Sequence, residues 1–293
     1  MFSILLNIVL PVLAITAMGH AYGRREASAP DMEFINRVNI NLFCPALIFS
    51  SLTMYPVNLG DAWALVLGGV LVVLLPGLLL LAYRPAGVDQ PPYLLSGMFR
   101  NTGNVGIPLM MLAYGRELLG DIVLLFVLSN SLHFSLGLFL ISGRSNRWLW
   151  IRSPNLWASI LGLSLTSLDV QIPDFINITV EMAGQVTIPL MLFSLGVRLS
   201  QGKITQVGLA LKINAMYLLT GALSLPLILW WLPLTTDWAR MIILSGLLPP
   251  AVLNYLLCEQ YRAQPALMAN VVLVGNLFSV VTVPVVIWLT LLL

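Results

Sequence analysis

Long apolar segments follow one another along almost the whole chain, separated by short connections that contain Pro, Gly, Asp or Arg. Apolar residues make up 59% of the sequence and charged residues only 9%, whereas about a quarter of the residues in a soluble domain are charged. So few charges cannot cover a water-exposed surface at a length of 293 residues. The sequence therefore predicts an all-α integral membrane protein. A net charge of +2, carried by scattered basic residues, does not indicate a nucleic-acid partner.

Ten segments are long and apolar enough to be interpreted as transmembrane helices, because a hydrocarbon core about 30 Å thick requires about 20 helical residues. The predicted spans are 3–22, 32–54, 61–83, 91–115, 119–142, 154–168, 174–199, 206–232, 238–260 and 265–291. Residues 1–142 are predicted to form a first five-helix repeat, residues 143–153 a cytoplasmic connector, and residues 154–293 a second five-helix repeat.

Basic residues are distributed unequally between the two sets of loops. The loops after spans 1, 3, 5, 7 and 9 contain Arg24, Arg25, Arg84, Arg144, Arg147, Arg152, Arg198, Lys203 and Arg262. The opposite loops contain only Arg116 and Arg240. Because cytoplasmic loops are enriched in Lys and Arg, this pattern predicts that both termini face away from the cytoplasm.

An internal similarity links the two halves of the chain. The segment "FCPALIFSSL" (43–52) aligns with "TIPLMLFSLG" (187–196) through three identical pairs, Pro45/Pro189, Phe49/Phe193 and Ser50/Ser194. Since each half has an odd number of predicted helices, the second half would enter the membrane inverted relative to the first. Inverted repeats are typical of secondary transporters, whose binding site lies at mid-membrane between discontinuous helices.

Two spans contain residues that interrupt helices. In span 4, "RNTGNVGIP" (100–108), the predicted break residues are Gly103, Gly106 and Pro108, and in span 9 they are Pro249 and Pro250. The repeat offset of 144 residues carries Val105 and Gly106 onto the two prolines. Interrupted backbone is tolerated in a membrane only where it is buried in protein or lines a wet cavity. We therefore expect two broken, crossing helices, with positive helix N-termini near residues 107 and 251 and unpaired carbonyls at the ends of the preceding halves.

Polar side chains beside these breaks are the candidate substrate-binding residues. Arg100 adds a full positive charge, which costs about 2.5–3.5 kcal/mol at the centre of a membrane helix on insertion scales. Asn101, Asn104 and Asn254 can donate hydrogen bonds to a carboxylate. This combination predicts a site for a small organic anion. The alternative is that Arg100 bonds neighbouring carbonyls and only holds the break together.

Energy coupling is predicted less directly, because acidic residues are scarce in the spans. Glu181 is the acid that lies deepest in the predicted spans and is a candidate proton carrier, although it could equally be solvated near the outer surface. His133 is interpreted as a packing residue. Carbonyls at the crossing could hold sodium, but no set of carboxylates marks such a site. The expected coupling ion is therefore H⁺ or Na⁺, with no cofactor, metal site or catalytic residue.

Other function classes fit the sequence less well than a carrier. A sodium–proton antiporter would need acidic residues at the crossing, and neither 100–110 nor 246–254 contains one. An intramembrane enzyme would need a nucleophile with a base or a metal cluster, and no such motif occurs. A membrane sensor that binds a carboxylate without transporting it stays open as the alternative.

Several motifs resemble the auxin efflux carrier family, which includes the plant PIN-type carriers and bacterial anion permeases. "NTGNVGIPLMMLAYG" is similar to the fourth-helix signature of this family and "LPPAVLNYLLCEQY" to its ninth-helix crossing segment. "PALIFSSL", "LFSLG" and "SPNLWASILGLSL" resemble its second, seventh and sixth helices. The resemblance runs from about residue 30 to the end of the sequence.

The resemblance implies a ten-helix inverted-repeat fold, with a scaffold domain, a crossing transport domain and a homodimeric assembly. It implies elevator-type alternating access and a bacterial inner membrane location, and it assigns a contact with the substrate carboxylate to Asn101. Two departures bear on the substrate. The long hydrophilic region of the plant carriers is reduced to residues 143–153, and Arg100 stands where the plant proteins commonly have proline. Bacterial relatives are associated with malonate and malate, which suit the added cation better than auxin.

Overall fold

A computed structural model of the chain describes residues 2–25, 29–55, 57, 60, 62–142, 153–201 and 205–293. In these ranges the chain forms fifteen α-helices and no strands. The helices are α1 (Phe2–Gly23), α2 (Ala29–Val38), α3 (Cys44–Met54), α4 (Trp63–Leu80), α5 (Gln90–Met98), α6 (Ile107–Tyr114), α7 (Leu119–Leu132), α8 (Leu138–Ser142), α9 (Pro154–Ser167), α10 (Asp174–Gln185), α11 (Thr187–Gln201), α12 (Val207–Trp231), α13 (Thr236–Leu247), α14 (Val252–Gln260) and α15 (Pro265–Thr290).

Six helical segments in the described part are long and apolar enough to cross a membrane. They are Leu6–Gly23, Trp63–Leu80, Arg116–Ser142, Asp174–Gln201, Val207–Trp231 and Pro265–Thr290. The prediction of an all-helical membrane protein is thereby confirmed, whereas the ten-span inverted repeat stays a prediction. The predicted spans 32–54, 91–115 and 238–260 each consist of shorter consecutive helices, and span 154–168 is the single short helix α9. In the first of these spans, α2 and α3 are joined by a π-helical turn at Asn39–Phe43. The predicted connector lies outside the described residues except for Ser153.

One set of helices, α1–α3 with α9–α11, packs through small residues and is called the first helix group. Helix α1 lies along α11. A Cβ atom at Gly19 would overlap the backbone of Phe193, and one at Gly196 would overlap the backbone of Thr16. Such close backbone approach is the usual way in which membrane helices associate, because lipid offers them no hydrophobic driving force.

The remaining helices, α4–α8 with α12–α15, form the second helix group. Helix α12 contacts α4, α13 and α15, while α14 lies against α15. Gly97 allows α5 to approach the Tyr217 ring, which lies 5.5 Å from the ring of Tyr93. Tyr93, Phe99 and Tyr217 are fully buried. This core holds the polar segment 99–104 in place.

The segment after α5 leaves the helix earlier than the glycines suggest. Phe99 is extended (φ −98°, ψ 106°), and helical structure resumes as a π-helical turn at Thr102–Gly106. The non-helical residues therefore precede Gly103 and Gly106, which lie inside the turn. Pro108 lies two residues after the end of this π-helical turn, in α6, where it has no N–H to donate to the carbonyls of the turn.

The second interruption lies between α13 and α14. Leu248 and Ala251 are both extended, with ψ values of 155° and 143°. Pro249 and Pro250 lie between them, where the missing N–H groups of proline remove no helical hydrogen bond. Helix α14 then begins at Val252, one residue after the position expected from the sequence.

Candidate functional site

The two interruptions pair with each other through their backbones. Arg100 and Pro250 form an isolated antiparallel bridge. The Asn101 N–H donates to Pro249 O over 2.8 Å, and the Ala251 N–H donates to Phe99 O over 3.1 Å. The Phe99 and Pro249 carbonyls, which lie just beyond the ends of α5 and α13, are therefore paired. Buried backbone groups require partners, and each interruption supplies them to the other.

The first interruption also contacts the second outside the bridge. Gly106 lies against Leu248, where a Cβ atom would be 2.9 Å from Leu248 Cδ1. The absence of a side chain at Gly106 therefore lets the π-helical turn approach the second interruption closely.

Asparagine side chains complete the hydrogen bonding at the bridge. Asn254 Nδ2 donates to Phe99 O over 2.9 Å, and Asn276 Nδ2 donates to Pro250 O over 3.1 Å. Asn101 Nδ2 in turn donates to Asn276 Oδ1 over 2.8 Å. All three side chains are buried. The structure thus brings Asn101 and Asn254, two of the residues predicted from the sequence, to the same bridge. Asn276 was not predicted from the sequence.

Four backbone N–H groups at the starts of the helical segments beside the bridge have no backbone acceptor in the described part of the chain. They belong to Gly103, Asn104, Val252 and Leu253. Each is among the first N–H groups of a helical turn, which have no partner within their own helix. All four residues line one cavity. The positive ends of two helical segments therefore meet at the same space.

Arg100 carries a buried charge without a carboxylate partner among the described residues. Its side chain is 5% exposed, NH2 donates to Tyr217 O over 2.6 Å, and the guanidinium lies 5.7 Å from the centroid of the Tyr217 ring. Arg100 Nε has no hydrogen-bond partner among the described residues. In the same part of the chain, ion pairs join only Arg116 to Glu181 and Arg240 to Asp237. The bracing contact proposed from the sequence is present, but it leaves the charge uncompensated.

A cavity of about 160 Å³ lies between the two helix groups, beside the bridge. The second group contributes Arg100, Asn101, Asn104 and Asn130, and the first contributes Asn36, Asn39, Asn155 and Arg198. Among its described lining residues there are two arginines and six asparagines but no Asp or Glu. Such a lining offers many hydrogen-bond donors and a net positive charge, which favours an anion.

Several polar atoms beside the cavity have no hydrogen-bond partner within the described residues. They are Asn39 Oδ1, His133 Nε2, Asn155 Oδ1 and Ser194 Oγ. His133 also stacks on Phe99, with ring centroids 4.2 Å apart and an interplanar angle of 4°. It therefore packs against the bridge and also lines the cavity.

Glu181, the candidate proton carrier, lies away from this cavity. Its Oε1 accepts a hydrogen bond from Arg116 NH2 over 2.8 Å, in a pair whose side chains are 28% and 52% exposed. Glu181 also accepts from Gln185 Nε2 over 3.1 Å. The structure thus places it in a partly exposed ion pair between the two helix groups, which is the solvated position weighed as the alternative.

The cavity residues that sequence reasoning missed share one signal. Asn36, Asn39, Asn130, Asn155 and Arg198 are polar residues inside predicted apolar spans. Polar residues at membrane depth are expensive and usually face the protein interior or a wet cavity. The residues that the first helix group contributes to the cavity can therefore be predicted if every polar residue within a span is counted, and not only those beside the breaks.

The amino-acid sequence is similar to those of known membrane transporters. The sequence model of a family described as "Membrane transport protein" matches residues 145–287. The resemblance to the auxin efflux carrier family is confirmed. "Uncharacterized transporter YfdV" of Escherichia coli strain K12 is 22% identical over 307 residues, covering 97% of each chain. A protein of Rhizobium meliloti strain 1021, named "Putative malonate transporter", is 22% identical over 301 residues, covering 94% of this chain and 93% of its own. These names describe transporters rather than enzymes.

Proposed function

We propose that this protein is a secondary active transporter of small organic anions, mono- or dicarboxylates, and that the carboxylate binds in the cavity beside the Arg100–Pro250 bridge. The observation that carries the proposal is the buried Arg100 guanidinium without a carboxylate partner among the described residues. Removing a charge from water costs several kcal/mol even after the protein relaxes. An anionic ligand would compensate that charge.

The backbone supports binding of a carboxylate rather than of a cation. The N–H groups of Gly103 and Asn104 open one helical segment, and those of Val252 and Leu253 open another. Helix N-termini bind anions because their N–H groups are unpaired and their dipole is positive. The bridge carbonyls at Phe99, Pro249 and Pro250 already accept hydrogen bonds, so fewer acceptors remain for a sodium ion.

The asparagines divide into ligand and support roles in this proposal. Asn101 has a second Nδ2 hydrogen beyond the one donated to Asn276, and Asn104 also lines the cavity. Asn254 is engaged with Phe99 O, so we assign it to holding the bridge. The carboxylate would therefore contact Asn101, Asn104 and the adjoining N–H groups, with Arg100 supplying charge.

Transport would proceed by an elevator-type mechanism in a ten-span inverted-repeat fold. The position of the cavity between the two helix groups supports this mechanism, because sliding the second group against the first would carry the bridge and its ligand across the membrane. We expect the protein to act as a homodimer in a bacterial inner membrane, with both termini outside the cytoplasm and with H⁺ or Na⁺ as candidate coupling ions.

The test combines binding with flux. Purified protein is screened for thermal stabilisation by acetate, malonate, malate and succinate, and the best ligand is then used in proteoliposomes under imposed proton and sodium gradients. Uptake of the radiolabelled anion supports a carrier, and its dependence on each gradient identifies the coupling ion. Binding without flux would instead support a carboxylate sensor. Stabilisation by none of the carboxylates would contradict the proposed function.

A matched pair of variants connects the result to the site. Arg100→Gln removes the buried charge, and Arg84→Gln removes the same charge from an exposed position outside the cavity. Loss of binding in Arg100→Gln, with unchanged binding in Arg84→Gln, supports the assigned location. Equal binding by both variants would contradict it.

A further inference from the structure

A second arginine lines the same cavity from the opposite helix group. Arg198 lies in the last turn of α11, in the first group, whereas Arg100 lies at the bridge in the second group. Arg198 is partly buried, and no Asp or Glu within the described ranges forms an ion pair with it. The function proposed above uses only the cation at the bridge, so the role of Arg198 is unassigned.

No side chain in the described part of the chain neutralises Arg198. The Tyr255 hydroxyl lies in the neighbourhood of Arg198. That hydroxyl donates to Glu259 Oε1 over 2.7 Å, and no Glu259 oxygen lies within ion-pair distance of Arg198. Glu259 is also exposed. Arg198 therefore lines the cavity without an ion-pair partner among the described residues.

We propose that Arg198 is a specificity-determining residue that binds the second carboxylate of a dicarboxylate whose first carboxylate lies at the Arg100–Pro250 bridge. This inference rests on the proposed function and deepens it. A guanidinium fork binds a carboxylate through two parallel hydrogen bonds, and Lys cannot reproduce that geometry because its ammonium is a point charge. A monocarboxylate held at the bridge would leave Arg198 unused.

The position of Arg198 on the first helix group has a mechanical consequence. A dicarboxylate held at both ends would connect the two groups while the cavity is in this arrangement. Sliding of the second group would separate the bridge from Arg198, so the second contact would have to be released before the ligand moves. Arg198 would thus select dicarboxylates at the binding step and not accompany them across the membrane.

The experiment compares matched ligands on matched variants. Wild-type protein, Arg198→Gln, Arg198→Lys and Arg84→Gln are titrated with malonate, succinate and glutarate, and with acetate, propionate and butyrate. For Arg198→Gln we expect at least about a tenfold loss of affinity for the best dicarboxylate, the size of one lost charge-assisted contact, and a change of less than about twofold for monocarboxylates. We expect Arg198→Lys to be intermediate and Arg84→Gln to match the wild type. The length of the best wild-type ligand reports the span between the two sites.

The other outcomes separate this inference from the proposed function. Unchanged dicarboxylate affinity in Arg198→Gln, or an equal loss for monocarboxylates and dicarboxylates, would overturn the assignment of Arg198 while leaving an anion site at the bridge. Absence of binding by every carboxylate to the wild-type protein would overturn both proposals. Thermal unfolding of each unliganded variant checks that the binding changes do not arise from misfolding.

Discussion

Asn276 fixes the orientation of the Asn101 side chain at the centre of the fold. Asn276 Nδ2 donates both of its hydrogens, one to Pro250 O and one to Val272 O. These two bonds fix the orientation of the amide, so that its acceptor, Oδ1, faces Asn101. Asn101 must therefore direct its Nδ2 toward Asn276, at 2.8 Å. One donor hydrogen of Asn101 remains for a ligand. A residue on α15 thus sets which group Asn101 presents at the bridge.

The first prediction concerns this network. In Asn276→Ala, Asn101 loses its acceptor and Pro250 O loses a donor, both in buried surroundings. Because an unsatisfied buried polar group costs about 1–3 kcal/mol, we expect a fall of about 2–4 kcal/mol in the free energy of unfolding. We also expect at least about a tenfold loss of malonate affinity, since the Asn101 amide can then rotate. Thermal unfolding and ligand titration in detergent measure the two effects.

The control for Asn276 is Asn41→Ala. Asn41 Nδ2 also donates to a backbone carbonyl, that of Arg37, but the contact is exposed. We expect stability and affinity to change little in this variant. Wild-type malonate affinity in a folded Asn276→Ala protein would show that the orientation of Asn101 does not matter for binding.

The second prediction is that the buried charge of Arg100 destabilises the protein when no ligand is bound. Its buried charge lacks a carboxylate partner among the described residues, and Tyr217 O would keep a hydrogen bond from Thr220 Oγ1 at 3.2 Å if Arg100 were replaced. Apolar replacement of buried charges is often neutral or stabilising. We therefore expect Arg100→Met to unfold at the wild-type temperature or above without ligand, and to lose the stabilisation that malonate gives the wild type.

Arg100→Lys is the companion variant, because it keeps the charge and loses the planar fork. We expect it to retain part of the malonate stabilisation. If Arg100→Met instead unfolds at a much lower temperature without ligand, the hydrogen bond to Tyr217 O and the ring contact are the main purpose of Arg100. That result would favour the bracing interpretation weighed from the sequence.

The third prediction concerns proton coupling. Glu181 is paired with Arg116 in a partly exposed position and does not line the cavity, so we expect Glu181→Gln to leave the proton-gradient dependence of transport unchanged. Exposed ion pairs contribute about 0–1 kcal/mol, and we expect a stability change within that range. Glu33→Gln, at an exposed position on α2, is the control. Loss of the proton dependence in Glu181→Gln alone would assign the coupling role to Glu181.

Sequence reasoning identified the helical membrane class and the neighbourhood of the site because both depend on local composition. Apolar runs report burial in lipid, and a charge beside prolines and glycines is conspicuous within them. It placed Arg100, Asn101 and Asn254 at one location, and the structure brings those three residues to the bridge.

The features of the site that the sequence did not predict depend on contacts between residues far apart in the chain, which no local pattern encodes. Asn276 is separated from Asn101 by 175 residues in sequence, and its role exists only because α15 passes behind the bridge. The Phe99 and Pro249 carbonyls accept hydrogen bonds from the opposite interruption, a pairing that neither segment's own sequence predicts. Arg198 was counted as a loop charge for orientation, although it lines the cavity, because a helix-end arginine gives no sign of the direction in which its side chain points.

The fourth prediction tests the packing of the first helix group. A Cβ atom at Gly196 would overlap the backbone carbonyl of Thr16 on α1, so Gly196→Ala must push α1 and α11 apart. Intrinsic propensity favours Ala over Gly in a helix by about 0.5–1 kcal/mol, whereas overpacking a close contact costs about 1–3 kcal/mol. Because backbone cannot rotate away as a side chain can, we expect overpacking to prevail and the thermal unfolding temperature to fall. Gly208→Ala in α12, where a Cβ would meet nothing within 4 Å, should be neutral or stabilising. Stabilisation of both variants would mean that α1 and α11 are not in close contact in the membrane.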